Sequence, residues 1–417
     1  MAVPGAEQPD TGGQVAGTQL EGSAQASEEE NDEAEPSFFG DPRRMVQTAV
    51  VVVVLVVGIY FLLPNIVGLD DAIGKLKRAD WTWITIALAF NLLAFASYVA
   101  LFRGVIGEHA VHLRWRESYQ ITMAGLAATR LFSAGGAGGI VLTYWALRKA
   151  GMEQRQSALR MVAFLVLLYA VYMLTLIVDG ILLRTGLING QNPAGLTIVP
   201  AALAGVVIAI FLVIALLPDD FERRMQTFSH GRRFEPLIRR LATVPATLAS
   251  GTRTAIAFVR EPSRGGLAIA GAIGFWAANI GILWASFHAF DVQVPLGVVI
   301  QGFFVGMVAN LIPFVPGGVG AVDAGMIGTF VLFGLPAGEV FAAVLVYRLI
   351  AFWLPIPPGI VAFFQLRRTV ARWERERGKG AVGSDAAESL PGPAPDPTTD
   401  LASGGTDDRA GHVHYFR

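Results

Sequence analysis

Residues 45–63, MVQTAVVVVVLVVGIYFLL, contain no charged side chain and are long enough to cross a bilayer as one helix. Five further runs read the same way, at about 81–102, 161–183, 195–217, 266–290 and 340–364. A chain with six such segments has no aqueous fold that could bury them all, so its solvent is lipid. The composition agrees, with 53% hydrophobic and only 16% charged residues among 417. The first run is not a cleaved signal peptide by this reading, because its apolar part is too long, an acidic tail precedes it and no small-residue cleavage pattern follows Pro64.

Charge is distributed unevenly. Residues 1–42 hold about ten carboxylates and no Lys or Arg, the tail after Arg367 is balanced, and 43–366 therefore carries about +9. The expected organisation is an acidic disordered tail over 1–42, a transmembrane domain over 43–366 and a largely disordered tail over 367–417, both tails being poor in apolar residues. Within the domain, 219–264 alternates Arg with apolar residues at helical spacing (Phe221, Met225, Phe228; Leu237, Ile238, Leu241). It is expected to be a cytoplasmic amphipathic segment at the inner leaflet. Nucleic acid is not an expected partner. The absence of cysteine excludes disulfides, thiolate nucleophiles and Cys-ligated metal centres. No His/Asp/Glu spacing makes a metal site, and His is too scarce in the spans to complete a Ser-His-Asp set, so neither a cofactor nor a hydrolase is expected. His288 is expected to pack or hydrogen-bond near a span end.

Two more apolar stretches, 118–147 and 296–335, are interrupted by Gly and Pro, and the positive-inside rule places them. Arg43 and Arg44 put the N-terminus in the cytoplasm. Arg103, Arg114 and Arg116 lie two spans later, and Arg148, Lys149, Arg155 and Arg160 follow the first broken stretch, so that stretch starts and ends on the cytoplasmic face. The Arg-rich 219–264 segment and the run Arg367, Arg368, Arg372, Arg375, Arg377 are also inside, which makes the second broken stretch start and end outside. Lys75, Lys77 and Arg78, in the external 65–80 segment, are offset by Asp70, Asp71 and Asp80. Both termini are then cytoplasmic, in a plasma membrane.

The broken stretches resemble each other: Ala134-Gly135-Gly136-Ala137-Gly138 aligns with Pro316-Gly317-Gly318-Val319-Gly320 at an offset of about 182. The fold expected is an all-α polytopic integral membrane protein of about six spans plus two re-entrant or hairpin segments in an inverted repeat. Duplicated, Gly/Pro-interrupted elements of opposite topology point to a transporter with its substrate between the repeats. Broken backbone at that depth is tolerated where it is buried in protein or lines a polar cavity. The alternative role for these glycines is close helix packing.

Ionisable residues in the spans sharpen the reading. Arg130 precedes the first Gly run, Asp323 follows the second, and Arg348 lies in the last span. Two Arg and one Asp leave a charge of about +1, suited to one phosphate that a guanidinium fork grips bidentately. Asp323 could position an Arg or exchange a proton, and the plainer alternative is an internal Asp–Arg pair that fixes helix register. Asp179, near the outer end of its span, is expected to face the interface. The candidate substrate-binding set is Arg130, Asp323, Arg348, Gly317, Gly318, Gly320, Gly135, Gly136 and Gly138.

The series Pro316-Gly317-Gly318-Val319-Gly320-Ala321-Val322-Asp323, then Gly334, Arg348, Pro355 and Gly359, resembles the membrane domain of lysylphosphatidylglycerol synthases over roughly 45–366. That domain also occurs alone in flippase-like bacterial membrane proteins. The resemblance implies movement of modified phospholipids or lipid-linked sugars between leaflets, without an ATPase module, and with the +1 set above the expected cargo is an anionic phospholipid or lipid-linked head group. The family's acid after the second Gly run is usually Glu, here Asp323, and its first repeat usually has Gly-Glu and a following Arg, here Gly138-Gly139 and Leu142. No aminoacyl-transferase domain is seen, so the chain is not expected to make lysylphosphatidylglycerol by itself. The competing readings are a non-transporting scaffold or accessory subunit for a lipid- or envelope-modifying enzyme, and a membrane lipid-group transferase.

The inverted repeat is directly testable in a cysteine-free chain. Single cysteines at Ala137 and Val319 should react with a membrane-impermeant thiol reagent from opposite faces, whereas labelling of both from one face would remove the topological basis for a transporter.

Overall fold

The structure, a computed structural model, describes residues 79–106, 113–131, 137–188, 190, 193–216, 235–308 and 319–388. The span expected at 45–63, the tail 1–42 and Gly135, Gly136, Gly317 and Gly318 lie outside the described residues, as do 217–234 and the chain beyond 388. The described elements are helices: α1 (Trp81–Ile106), α2 (Trp115–Leu131), α3 (Ala137–Lys149), α4 (Gln154–Arg184), α5 (Ala194–Ala215), α6 (Glu235–Arg260), α7 (Pro262–His288), α8 (Leu296–Met307), α9 (Ala321–Leu332), α10 (Ala337–Arg348), a π-helical turn (Leu349–Trp353) and α11 (Ile356–Glu388). The chain separates into two units, Met1–Ala371 and Arg372–Arg417, and everything below concerns the first.

Among the described residues, five segments are long and apolar enough to cross a membrane: α1, α4, α5, α7 and the run from α10 into α11. They coincide with the five expected spans that fall in the described residues. The protein is thus an all-α, multi-pass membrane protein.

The central pair is α1 against α7, which run antiparallel in contact along most of their length. Phe90 lies over Gly281, Ser97 over Gly274 and Leu101 over Gly271. A methyl group added at Gly271 would overlap the Leu101 backbone, so the approach depends on hydrogen at that position. Such small-residue contacts are how helices associate in lipid, where apolar burial alone gives little preference for protein over acyl chain. At one end of the pair the Asp80 N–H donates to the Ala289 carbonyl at 2.9 Å. There His288 packs on Trp83 and Trp284 with its Nδ1 2.9 Å from the Trp284 carbonyl.

The two interrupted stretches form helical hairpins, α2–α3 and α8–α9. At about 1.5 Å per residue, α3, α8 and α9 are each about 18–20 Å long, well short of a hydrocarbon core of about 30 Å. In the first hairpin Gly139 faces Gly125 and Thr129, and in the second Gly302 packs on Phe330 and Gly306 on Met326. The α2 hairpin begins beside the Arg103 end of α1, where Arg103 donates to the Leu113 carbonyl at 2.8 Å. The α8 hairpin begins just past His288, at the other end of the α1–α7 pair. The hairpins therefore start from opposite ends of the molecule, as an inverted repeat requires.

The 219–264 region packs against α4 in its later part, with Gly251 of α6 on Val162 and Leu159. One segment departs from the sequence reading. The last span is not one helix. It breaks at the π turn after Arg348, where the Leu354 N–H bonds to the Leu349 carbonyl at 2.9 Å. Proline explains the break: in a continuous α-helix residue 355 would donate to the carbonyl of residue 351, and Pro355 has no N–H.

The glycine seam gives a stability prediction. Gly271→Leu should destabilise the detergent-solubilised protein by about 1–3 kcal/mol, the usual cost of overpacking. Gly266→Leu, on the same helix but facing open space, should leave the thermal midpoint unchanged. Equal midpoints for both variants would refute the tight α1–α7 contact.

Candidate functional site

Three of the sequence-selected residues converge where α2, α9 and the α10–α11 break meet. Asp323 is at the third position of α9. Its Oδ2 accepts the Gly320 N–H at 2.8 Å, so the carboxylate caps the helix whose first turn contains it. Gly320 precedes the helix with φ of 81°, in the left-handed region where a side chain would be strained. The other oxygen, Oδ1, stands 2.6 Å from Arg348 Nε in an ion pair too bent for a well-formed hydrogen bond. Both partners are buried, at 8% and 4% exposure. Asp323 therefore holds α9 to the end of α10 and turns the Arg348 head.

Arg348 then lies over Phe352, its Cζ 4.6 Å from the ring centroid. Arg130, from the last turn of α2, reaches the same ring with its Cζ at 5.4 Å. Its Nη2 donates to the Ala351 carbonyl at 2.9 Å, the carbonyl that Pro355 leaves without a helical donor. Its Nη1 is buried and has no hydrogen-bond partner. Helix α2 is held in place by its packing on α11, where Gly359 lies against Met123 and Ala127 and Thr369 Oγ1 donates to Gln120 at 2.9 Å. Tyr347, Tyr98 and Arg348 are the electrostatic neighbours of Arg130.

The arrangement is two guanidiniums around one aromatic ring, one carboxylate already committed to a helix cap and to one of the Arg, and two tyrosines beside them. Like charges this close in a low-dielectric setting repel, and the single carboxylate leaves the group at +1. An anion with paired acceptor oxygens would balance it and occupy the donor that Arg130 leaves open.

The sequence reading placed Arg130, Asp323 and Arg348 in one site, and the structure brings these three together. Gly320 adjoins them through the Asp323 cap. Gly138 lies in the first turn of α3, where no contact of its own marks it, whereas its neighbour Gly139 makes the close approach to α2. Phe352, Tyr347 and the Ala351 carbonyl escaped the sequence reading. The signal was there in Pro355, which sits four residues after Ala351 and so releases one buried carbonyl that needs a donor from elsewhere. Asp179 also departs from expectation: it is buried at 4% exposure, packed against neighbouring helices instead of facing the interface.

Comparison with known proteins agrees with the fold. A UPF0104 membrane protein of Methanothermobacter thermautotrophicus is 24% identical over 323 residues, covering 74% of this chain and 94% of that protein. A second UPF0104 membrane protein of the same organism is 23% identical over 310 residues, 70% of this chain and 86% of that protein. A phosphatidylglycerol lysyltransferase of Staphylococcus haemolyticus is 30% identical over 81 residues, 19% of this chain and 10% of that protein. The family model described as the lysylphosphatidylglycerol synthase TM region matches residues 46–359. With that match spanning most of its length, the chain belongs to the lysylphosphatidylglycerol synthase transmembrane-region family.

Proposed function

We propose that this protein translocates an anionic, phosphate-bearing lipid head group between leaflets, without group-transfer chemistry of its own. The carrying observation is that Arg130 and Arg348 both reach the Phe352 ring, with one carboxylate for two cations and a buried donor open on Arg130. A phosphodiester supplies one negative charge and two equivalent oxygens, which match the net charge and the fork geometry together. The membership of a phosphatidylglycerol lysyltransferase among the relatives supports a glycerophospholipid cargo.

The hairpins supply the moving parts in this reading. Arg130 ends the first helix of one, Asp323 begins the second helix of the other, and both meet at a break in a third element. A head group bound there lies between the repeats, so rocking one hairpin against the other would expose it to one leaflet at a time. The membrane is read as the bacterial plasma membrane with both termini cytoplasmic, from the Arg-rich segments on one side.

The test uses purified protein in vesicles of phosphatidylethanolamine and phosphatidylglycerol with fluorescent phosphatidylglycerol as the reporter. Wild type should accelerate loss of the inner-leaflet pool to an external quencher. Arg130→Ala and Arg348→Ala should each slow transfer by about 10- to 100-fold, the loss expected for a hydrogen bond to a charged group of about 1.5–3 kcal/mol. Lys at either position, which keeps charge but not the fork, should recover only part. Asp323→Asn should also slow transfer, by releasing Arg348 from its pose. Wild-type vesicles no faster than protein-free ones would sink the reading, and full activity in both Arg variants would remove this site from it.

A further inference from the structure

A second buried polar group lies away from the Arg pair. Asp179 sits on α4, five residues before the helix ends at Arg184, and is almost wholly enclosed by protein. Its Oδ2 is buried without a hydrogen-bond partner, and among the described residues no cation stands within ion-pair distance of it. The opposing wall is the first turn of α8, where a methyl at Gly297 would lie 3.4 Å from Asp179 Oδ1. Gln301, one turn further along α8 and fully buried, meets α4 at Gly180, the residue after Asp179. Its Nε2 donates to the Leu196 carbonyl at 2.6 Å, while its Oε1 is buried with no donor. One small junction of α4, α5 and α8 thus holds two buried acceptors that lack a donor.

The charges around it are few. Helices α5 and α8 contain no ionisable side chain, nor does the 185–193 connection. Arg184, on α4 itself, is exposed. Among the described side-chain contacts, α6 meets α4 at Leu159 and Val162, α1 at Phe164, and α7 at Leu168 and Tyr172, all earlier in the helix than Asp179. The α7 histidine, His288, is engaged with Trp83 and Trp284. An isolated carboxylate in such surroundings is costly unless a cation joins it, and an ionisable group at depth that serves no structural pair marks a functional site.

Resting on the lipid-translocation reading, we infer that Asp179, with Gln301 beside it, is the proton-loading site that couples head-group movement to a transmembrane proton gradient. A proton taken up on the carboxylate makes Asp179 a donor beside Gln301 Oε1, an acceptor without one, and no covalent bond other than the O–H changes. The stoichiometry is also favourable: one phosphate anion moving with one proton carries no net charge, so the membrane potential neither drives nor opposes it.

The test uses the same vesicles with an imposed pH difference, reading the leaflet distribution of fluorescent phosphatidylglycerol at steady state. Wild type should enrich the reporter on one side by severalfold under the gradient, and that bias should vanish with a protonophore and survive a clamped membrane potential. Asp179→Asn should move the reporter to the same distribution with and without the gradient. If the Asn variant moves no lipid at all, Asp179→Glu decides, because a restored carboxyl should restore the gradient response. Wild type that moves lipid without responding to pH, an Asn variant that still responds, a Glu variant that transports but does not respond, or a bias that follows a sodium gradient at equal pH would each overturn the inference and leave the translocation reading standing. Wild type that moves no lipid would overturn the reading and this inference with it.

Discussion

A backbone carbonyl without a donor is the constraint around which this site is organised. In lipid there is no water to satisfy a freed carbonyl, and leaving one buried costs about 1–3 kcal/mol. Pro355 frees the Ala351 carbonyl in the middle of an otherwise spanning segment, and Arg130, more than two hundred residues earlier in the chain, satisfies it. The same contact settles the cost on the other side. A guanidinium at membrane depth is itself expensive, by about 2.5–3.5 kcal/mol on insertion scales, and the Ala351 carbonyl supplies this one with an acceptor. The hairpin that carries Arg130 and the break that exposes Ala351 are each unfavourable alone and stable together.

That mutual dependence explains why the rest of the site looks as it does. The π turn puts Phe352 within reach of both Arg heads, so that one ring receives two cations. Asp323 cannot neutralise the pair, since its oxygens are divided between the α9 cap and Arg348. The single carboxylate therefore positions one Arg, and the other keeps a buried Nη1 without a hydrogen-bond partner. Of the three roles the sequence left open for Asp323, the geometry fits positioning an Arg and pairing with it to fix helix register better than exchanging a proton.

The spans and the charged residues were legible in the sequence because lipid makes both conspicuous: a run of apolar residues has no other solvent, and a charge inside one is an exception that needs a reason. The Asp323–Arg348 pair and its neighbourhood with Arg130 follow from that logic. The faces of the helices were not legible. In water a helix advertises its buried side by polarity, whereas α4 and α10 are apolar all round, so nothing in their periodicity says that Asp179 points inward or that Tyr347 lies beside Arg130. Phe352 is one aromatic among many until the turn that aims it is known. Only the proline rule, applied to the carbonyl four residues before Pro355, would have located that turn in advance.

Helix α8 is what places the two polar groups in one mechanical frame. Near its start Gln301 abuts Asp179's turn of α4; one turn on, the Phe304 carbonyl accepts the Tyr172 hydroxyl of α4 at 2.6 Å, and Phe303 packs edge-on against Tyr347, the residue before Arg348, at 5.9 Å. The hairpin partner of α8 is α9, which carries Asp323 and hence the orientation of Arg348. Helix α8 is 12 residues long, too short to cross the hydrocarbon core by itself, and it touches α4, α5 and α9 together. Any shift of α8 along α4 would alter the surroundings of Asp179 and the pose of the Arg pair at once. Close-packed rings transmit displacement because they resist compression, so in the proposed mechanism α8 would link the two polar groups without a path of ionisable groups between them.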